Sequence, residues 1–376
     1  VTMLRVGVDS SKFPGAPEKG AVWLLEQAAA LGLDGVFFRS VLELSEALDP
    51  AELRDAAQAA EALGLRVEAG VGKVNPFANA ESPAIRALGD GDYLHGLRRM
   101  IIAAADAGIR ELWTATANYQ FRFSGLYACD RFRTDVSWPR QLAATERFLG
   151  KVAPIARDAG AHLDIETHEE ITTFELVRIV EAVGADVLGI TFDSANVLVR
   201  CEDPLRAMRR AAPYVRTTHI RDVALVFTDE GIGRFLLPVG QGVIDWPALL
   251  APLAGRDVML SIEGIISSRA EMSLHIDDER WQRAHPDLTA AEALEVVRLT
   301  RAYEARAAAG SAPDLHRLRA PVAPGEPLEF IRESARRLRE LVASLPSSTE
   351  ARKEHAHDRH LGRGDRHVSD PEPGRA

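Results

Sequence analysis

The sequence predicts an α/β chain folded as one (β/α)8 TIM barrel, with a C-terminal helical extension and a disordered tail. Three observations predict it. Eight short strand-like runs alternate with helical patterns. Polar residues gather at the C-terminal ends of the last four runs. The 376 residues leave room for one barrel of about 250 residues plus additions. Strand then helix, eight times over, is what a closed parallel sheet requires. A doubly wound open sheet is the competing arrangement, and the position of the polar residues favours the barrel.

The eight runs are Leu4–Asp9, Gly35–Arg39, Arg66–Val71, Glu111–Thr116, His162–Thr167, Val187–Asp193, Val215–Ile220 and Val258–Glu263. Stretches with apolar residues at helical spacing separate them, such as Ala21–Ala30, Ala51–Leu63 and Leu97–Ala107. Gly32, Gly64, Gly108, Gly160 and Gly184 follow such stretches, where a left-handed residue stops a helix.

The fifth run carries Glu166 next to its end, the sixth ends in Asp193, the seventh carries His219 near its end, and the eighth ends in Glu263. Loops converge on the barrel axis at this rim, so it carries the chemistry. Alternation sends the neighbours Ile165, Phe192 and Ile262 outward onto the helices. Three carboxylates and one imidazole make a hard to borderline donor set for one divalent ion, Mn2+ first, with Mg2+, Co2+ or Zn2+ as alternatives. Four unrelated rim residues are the bland alternative, and their recurrence on consecutive strands weighs against it. His168 shares a face with Glu166, two residues back, and is a candidate acid/base; it reads equally as a rim histidine. Lys73 follows the third strand as a substrate contact, Asn196 and Arg221 are further ones, and Asp222 orients the loop after His219. Gly240 and Gly242 most simply make a tight turn.

Three segments divide the chain: a barrel over 1–309, a helical extension over 310–346 with one amphipathic helix near Leu328–Leu345, and a polar tail over 347–376 containing His355, His357, His360 and His367. The loop 117–136 is rich in aromatic and Arg residues, among them Tyr119, Phe121, Phe123, Tyr127 and Phe132. It reads as a lid or substrate wall, or as a loop packing on itself. A second long loop is Gly264–Asp287. The net charge of −10 opposes nonspecific binding to nucleic acid or an anionic membrane. Cys129 and Cys201 give no disulfide framework, and Val1–Ser10 lacks a basic leader, so a cytoplasmic protein is expected.

Five pieces together resemble the xylose-isomerase-like barrels, the sugar phosphate isomerases and epimerases. They are Ile165-Glu166-Thr167-His168, Phe192-Asp193-Ser194-Ala195-Asn196, His219-Ile220-Arg221-Asp222, Pro238 to Trp246, and Ser261-Ile262-Glu263-Gly264. The resemblance implies that Glu166, Asp193, His219 and Glu263 bind one divalent ion, commonly Mn2+. Ketose 3-epimerases of this group carry His and Arg where this chain has Asn196 and Leu225. The Glu-x-His of the fifth strand looks more like the lyase-type members. Length, aromatic loop and the segment after Glu263 look most like the α-subunit of C-glycoside deglycosidases, which cleave 3-oxo-glycosides and pair with a small β-subunit. The implied activity is a metal-dependent lyase on oxidised (3-oxo) sugars or glycosides, with His168 taking the α-proton before β-elimination. A higher oligomer with a small β-subunit is the implied assembly. The rival is a sugar isomerase or epimerase in which Glu166 or Glu263 is base as well as ligand. A DNA-repair nuclease on this barrel would need a basic face that the chain lacks. A non-catalytic sugar-binding barrel would not need the complete quartet.

Overall fold

The computed structural model describes residues 4–78, 82–117, 119–120 and 122–345. Eleven strands are formed among them: β1 (Arg5–Asp9), β2 (Gly35–Phe38), β3 (Arg66–Gly70), β4 (Glu111–Thr114), β5 (His162–Glu166), β6 (Leu188–Asp193), β7 (Val215–Ile220), β8 (Asp222–Thr228), β9 (Gly231–Leu237), β10 (Met259–Ile262) and β11 (Met272–Leu274). β1 to β7 and β10 close a barrel in the order β1-β10-β7-β6-β5-β4-β3-β2. The eight predicted runs are these eight strands, each end within two residues. The fold is therefore the (β/α)8 barrel that the alternation of elements implied.

The outward residues Ile165, Phe192 and Ile262 are fully buried in the apolar cluster that joins strands to helices. The inward residues fill a narrow interior. A Cβ on Gly7 or on Gly35 would stand 2.5 Å from the Met259 sulfur, so both glycines make room for that side chain. Phe37, Trp113, Ala115 and Met259 form a small apolar group of their own inside the barrel. The Phe37 and Trp113 rings lie 4.3 and 5.2 Å from that of His219 and make the floor beneath it.

The predicted amphipathic helix runs from Glu326 to Ser344. Gly325, at φ 89°, and Pro327 open it, with Glu326 and Glu329 in the first turn. It buries Phe330, Ile331, Ala335, Leu338 and Leu341 in the main cluster and packs on β1 and β10. The segment expected as an extension thus closes the ring of helices beside the first and last barrel strands. The tail from 346 onward, with its four histidines, lies outside the described residues.

The sequence reading left residues 222–237 unassigned after the seventh strand. They form the hairpin β8–β9, joined at Asp229-Glu230 with Gly231 at φ 108°. β11 adds to β9, giving a three-stranded antiparallel sheet. The helix Ala290–Ala308 packs on β8 and holds the sheet at the barrel rim. Asp222 orients the segment as expected. Its carboxylate accepts from the Val223, Gly240 and Ile244 amides and from the Trp246 indole, 2.8–3.2 Å away, and so pins the glycine turn.

Candidate metal centre

The barrel brings the four predicted polar strand ends to one place. Glu166 closes β5, Asp193 closes β6, His219 is next to last on β7, and Glu263 directly follows β10. All four are buried, and one possible ligand atom from each lies within 4.8 Å of the others. Each is the inward residue of an alternating strand, so the convergence follows from the pattern.

His219 sits at the centre. Its Nδ1 is 2.8 Å from Glu166 Oε1 and 3.5 Å from Glu263 Oε2. Its Nε2 is 3.6 Å from Asp9 Oδ2, and neither of those two atoms has a hydrogen-bond partner. Asp9 was not among the predicted site residues. Its other oxygen accepts from the Ser11 amide at 2.8 Å and the Ser11 hydroxyl at 2.6 Å. A carboxylate behind an imidazole fixes the tautomer and makes the far nitrogen a better ligand. The available signal was position, because Asp9 ends the first strand as the quartet ends the later ones.

Arg221, expected at the substrate, is engaged within the site itself. Its guanidinium pairs with Asp193, lies 3.0 Å from Glu263 Oε1 and donates to Asn196 Oδ1 at 3.3 Å. It positions two carboxylates of the quartet. Asn196 also donates its backbone amide to Asp193 at 3.0 Å, and its side-chain nitrogen has no partner.

The electrostatics show a site short of positive charge. Burial alone would raise the Glu166 carboxyl, but the charges of His219 and His168 hold it down at about 2. Burial would lower His219, yet Glu166, Glu263 and Asp9 lift it to about 9. Asp193 is raised, by burial first and by the charges of Glu263 and Glu166, against the pull of Arg221. Three convergent buried carboxylates, an imidazole and the two orphaned atoms of His219 and Asp9 fit a divalent cation.

His168 belongs to a second buried group beside the first. Its Nδ1 is 2.6 Å from Glu169 Oε2 and 2.6 Å from Glu170 Oε2. Burial opposes its protonation, but the two glutamates outweigh burial and raise its pKa well above the usual 6.5. Glu170 is itself fixed by the Thr116 hydroxyl. The loop is anchored next door by a capping box of Thr172 and Glu175, and Arg131 and Trp138 donate to the Glu175 carboxylate at 2.8 and 2.9 Å. Glu169 and Glu170 were missed, although they directly follow His168. Lys73 is half-buried; burial lowers its pKa, and the charges of Glu166, Glu169 and Glu170 act against that. Arg39, just past β2, was also missed; burial opposes its charge, but Asp9, Glu263, Glu166 and Glu169 together raise its pKa.

The aromatic loop divides. Tyr119 is bridged to Cys129, Leu126 and Cys129 are buried, and Phe132 packs near His285 and Arg200. Phe123 and Tyr127 stay exposed, while Phe121 lies outside the described residues. Both cysteines are buried free thiols. No described helix is long and apolar enough to cross a membrane.

Comparison with known proteins agrees with this architecture. YihM of Escherichia coli K12, an uncharacterized protein, is 34% identical over 97 residues, covering 26% of this chain and 30% of that one. A 3-oxo-isoapionate decarboxylase of Pectobacterium atrosepticum is 27% identical over 232 residues, covering 61% of this chain and 71% of the relative. An inosose dehydratase of Bacillus thuringiensis is 22% identical over 186 residues, covering 44% and 57%. For YihM and the dehydratase, the match spans less than two thirds of the relative's length. Two solved structures share the fold. D-psicose 3-epimerase of Clostridium cellulolyticum H10 superposes with a TM-score of 0.54 at 15% identity, over 80% of this chain and 99% of the other. A barrel protein of Mycobacterium smegmatis, solved in complex with magnesium, gives 0.53 at 18% identity, over 80% and 98%. A family model described as the xylose isomerase-like TIM barrel matches residues 25–300, and the chain belongs to that family.

Proposed function

We propose that this chain is a divalent-metal-dependent lyase acting on oxidised (3-oxo) sugars or glycosides. The observation that carries the reading is the convergence of Glu166, Asp193, His219 and Glu263 beside a histidine braced by two glutamates. A divalent ion in the quartet would supply Lewis-acid polarisation of a substrate carbonyl. His168 keeps Nδ1 toward Glu169 and Glu170, which leaves Nε2 for the proton next to that carbonyl. The C–H pair becomes the C=C bond of an enolate, which expels the substituent on the β carbon with its bonding pair. Glu169 and Glu170 fix the imidazole and stabilise the imidazolium that results. Lys73, on which the charges of Glu166, Glu169 and Glu170 act, is the candidate donor to a substrate oxygen. Two sequence relatives are named as a 3-oxo-isoapionate decarboxylase and as an inosose dehydratase, and dehydration is an elimination of the proposed kind. C-glycoside cleavage together with a small partner subunit is one member of this class.

A second reading has its own support. Glu166 and Glu263 are both held ionised, while His168 is held protonated. That favours a ligand glutamate as base, as in a sugar isomerase or epimerase. Exchange of the α-proton with solvent deuterium separates the two. With a 3-oxo-glycoside as substrate, His168→Ala stops exchange and aglycone release together if His168 is the base. Rapid ketose epimerisation with His168→Ala nearly fully active overturns the lyase and leaves the metal barrel standing.

A further inference from the structure

Arg234 lies within β9, directly opposite Leu225 of β8. The two faces of this hairpin separate. Val223, Leu225, Ile232 and Leu236 join the main apolar cluster of the barrel. Ala224, Val226, Phe235 and Leu237 join a second cluster with Tyr303 and Leu318. Alternation puts Arg234 with the first set, facing the barrel. β8 begins directly after Arg221, so the hairpin rises from the mouth itself, and the charges of Arg221, Glu169, Asp193 and Glu263 all act on Arg234.

The residue is 1% exposed, yet no carboxylate pairs with it among the described residues. Its one acceptor is the Met272 thioether, 2.8 Å from Nη2, while Nε and Nη1 have none. A thioether is a weak acceptor, and a buried charge left so poorly paired is costly. Burial, and then the charge of Arg221, bring its pKa to about 10, so it remains a cation at neutral pH. The side-chain nitrogen of Asn196, whose oxygen accepts from Arg221, is a second buried donor without an acceptor among the described residues.

We propose that Arg234 is the subsite for a carboxylate on the substrate, so that the compound this barrel transforms is a sugar acid. The inference rests on the sugar-active metal site proposed above. A guanidinium matches a planar carboxylate in shape and charge. Glu169, Asp193 and Glu263 repel every anion here, and they repel a phosphate dianion about twice as strongly as a carboxylate. A carboxylate neutralised in this way is stabilised in the ground state. It serves as the handle that orients the sugar, and a different bond is the one that breaks.

The test is calorimetric titration of the Mn2+-loaded protein with D-glucuronate, D-gluconate, D-glucose and D-glucose 6-phosphate. At least one acid binds about tenfold or more tightly than glucose, the scale expected for a desolvated charge pair. Arg234→Met erases that preference while its melting temperature holds or rises, because a poorly paired buried charge has gone. Equal binding of acids and glucose overturns the subsite and leaves the sugar reading intact. So does tighter binding of the phosphate than of either acid, a preference that survives in Arg234→Met, or a sharp fall in that variant's melting temperature. Binding of none of the four compounds overturns the subsite alone if a 3-oxo-glycoside is still turned over, and the sugar reading with it if that substrate is not turned over either.

Discussion

Two sets of buried carboxylates share the barrel interior, and their surroundings differ: cations face the set at the mouth, and few partners face the deeper set. At the mouth, Glu166, Asp193, Glu263 and Asp9 face the His219 imidazole and the Arg221 guanidinium. One layer deeper, Glu68 of β3 and Asp164 of β5 point into the same interior, two residues before the strand ends. Arg66 Nε is 2.9 Å from Glu68, but without the alignment of a hydrogen bond, and neither Glu68 oxygen has such a partner. Asp164 has only the Thr217 hydroxyl, 3.2 Å from one oxygen. Burial works against ionisation of Glu166, Asp193 and Glu263 at the mouth and of Glu68 and Asp164 below them. It wins in the deeper layer, where Glu68 is pushed up to about 8 and Asp164 well above its usual range. At the mouth it loses at Glu166, held at about 2 by its cationic neighbours. Burial of acid groups therefore does not by itself mark a cation site. Ionised donors that converge do.

The largest expected effect lies at the mouth. His219→Ala removes the ligand around which the other three are arranged, and turnover is lost even with excess Mn2+; a normally active variant would break the contrast between the layers. Next comes His168→Ala, which keeps the ion but loses roughly 100-fold or more in rate, the scale of a positioned acid/base. Because the glutamates raise the His168 pKa, a catalytic base there makes the wild-type rate climb with pH above 6.5. A rate that falls over that range assigns His168 as the acid instead. Asp9→Asn has a smaller effect, weakening metal affinity about 10- to 100-fold without changing stoichiometry.

The smallest effect belongs to the deeper layer and is one of stability. A carboxyl whose folded pKa is raised stabilises the fold fully below its unfolded value and progressively less as pH rises to the folded value. For Glu68 that window runs from 4.5 to about 8. Glu68→Gln should flatten the decline of unfolding free energy between pH 5 and 8, by up to about 1.4 kcal/mol per pH unit. Urea melts at several pH values check this, and an unchanged slope removes Glu68 from the account.

The sequence made the barrel and the quartet legible because both depend on local periodicity. Alternation on short strands fixes which residues turn inward, and strand order fixes which of them meet. The β8–β9 hairpin was missed although its signal was present, two apolar runs around Asp229-Glu230-Gly231. Asp9 and Glu169 left positional signals that were not read, one at the end of the first strand and one directly after His168. Arg234 was illegible for another reason: its setting rests on partners far along the chain and on the lack of a paired carboxylate, and neither is a pattern in sequence. Leu225 illustrates it: the position lacks an Arg, but the hairpin sets Arg234 directly across from it.

The central claim is that the four strand ends hold one divalent ion, and the most direct measurement is the stoichiometry of Mn2+ binding to thoroughly metal-stripped protein. The account expects one ion per chain for the wild type, and none at the same concentrations for Asp193→Ala with an unchanged circular dichroism spectrum. Undiminished binding by the folded Asp193→Ala protein, or no binding by the wild type, would contradict it.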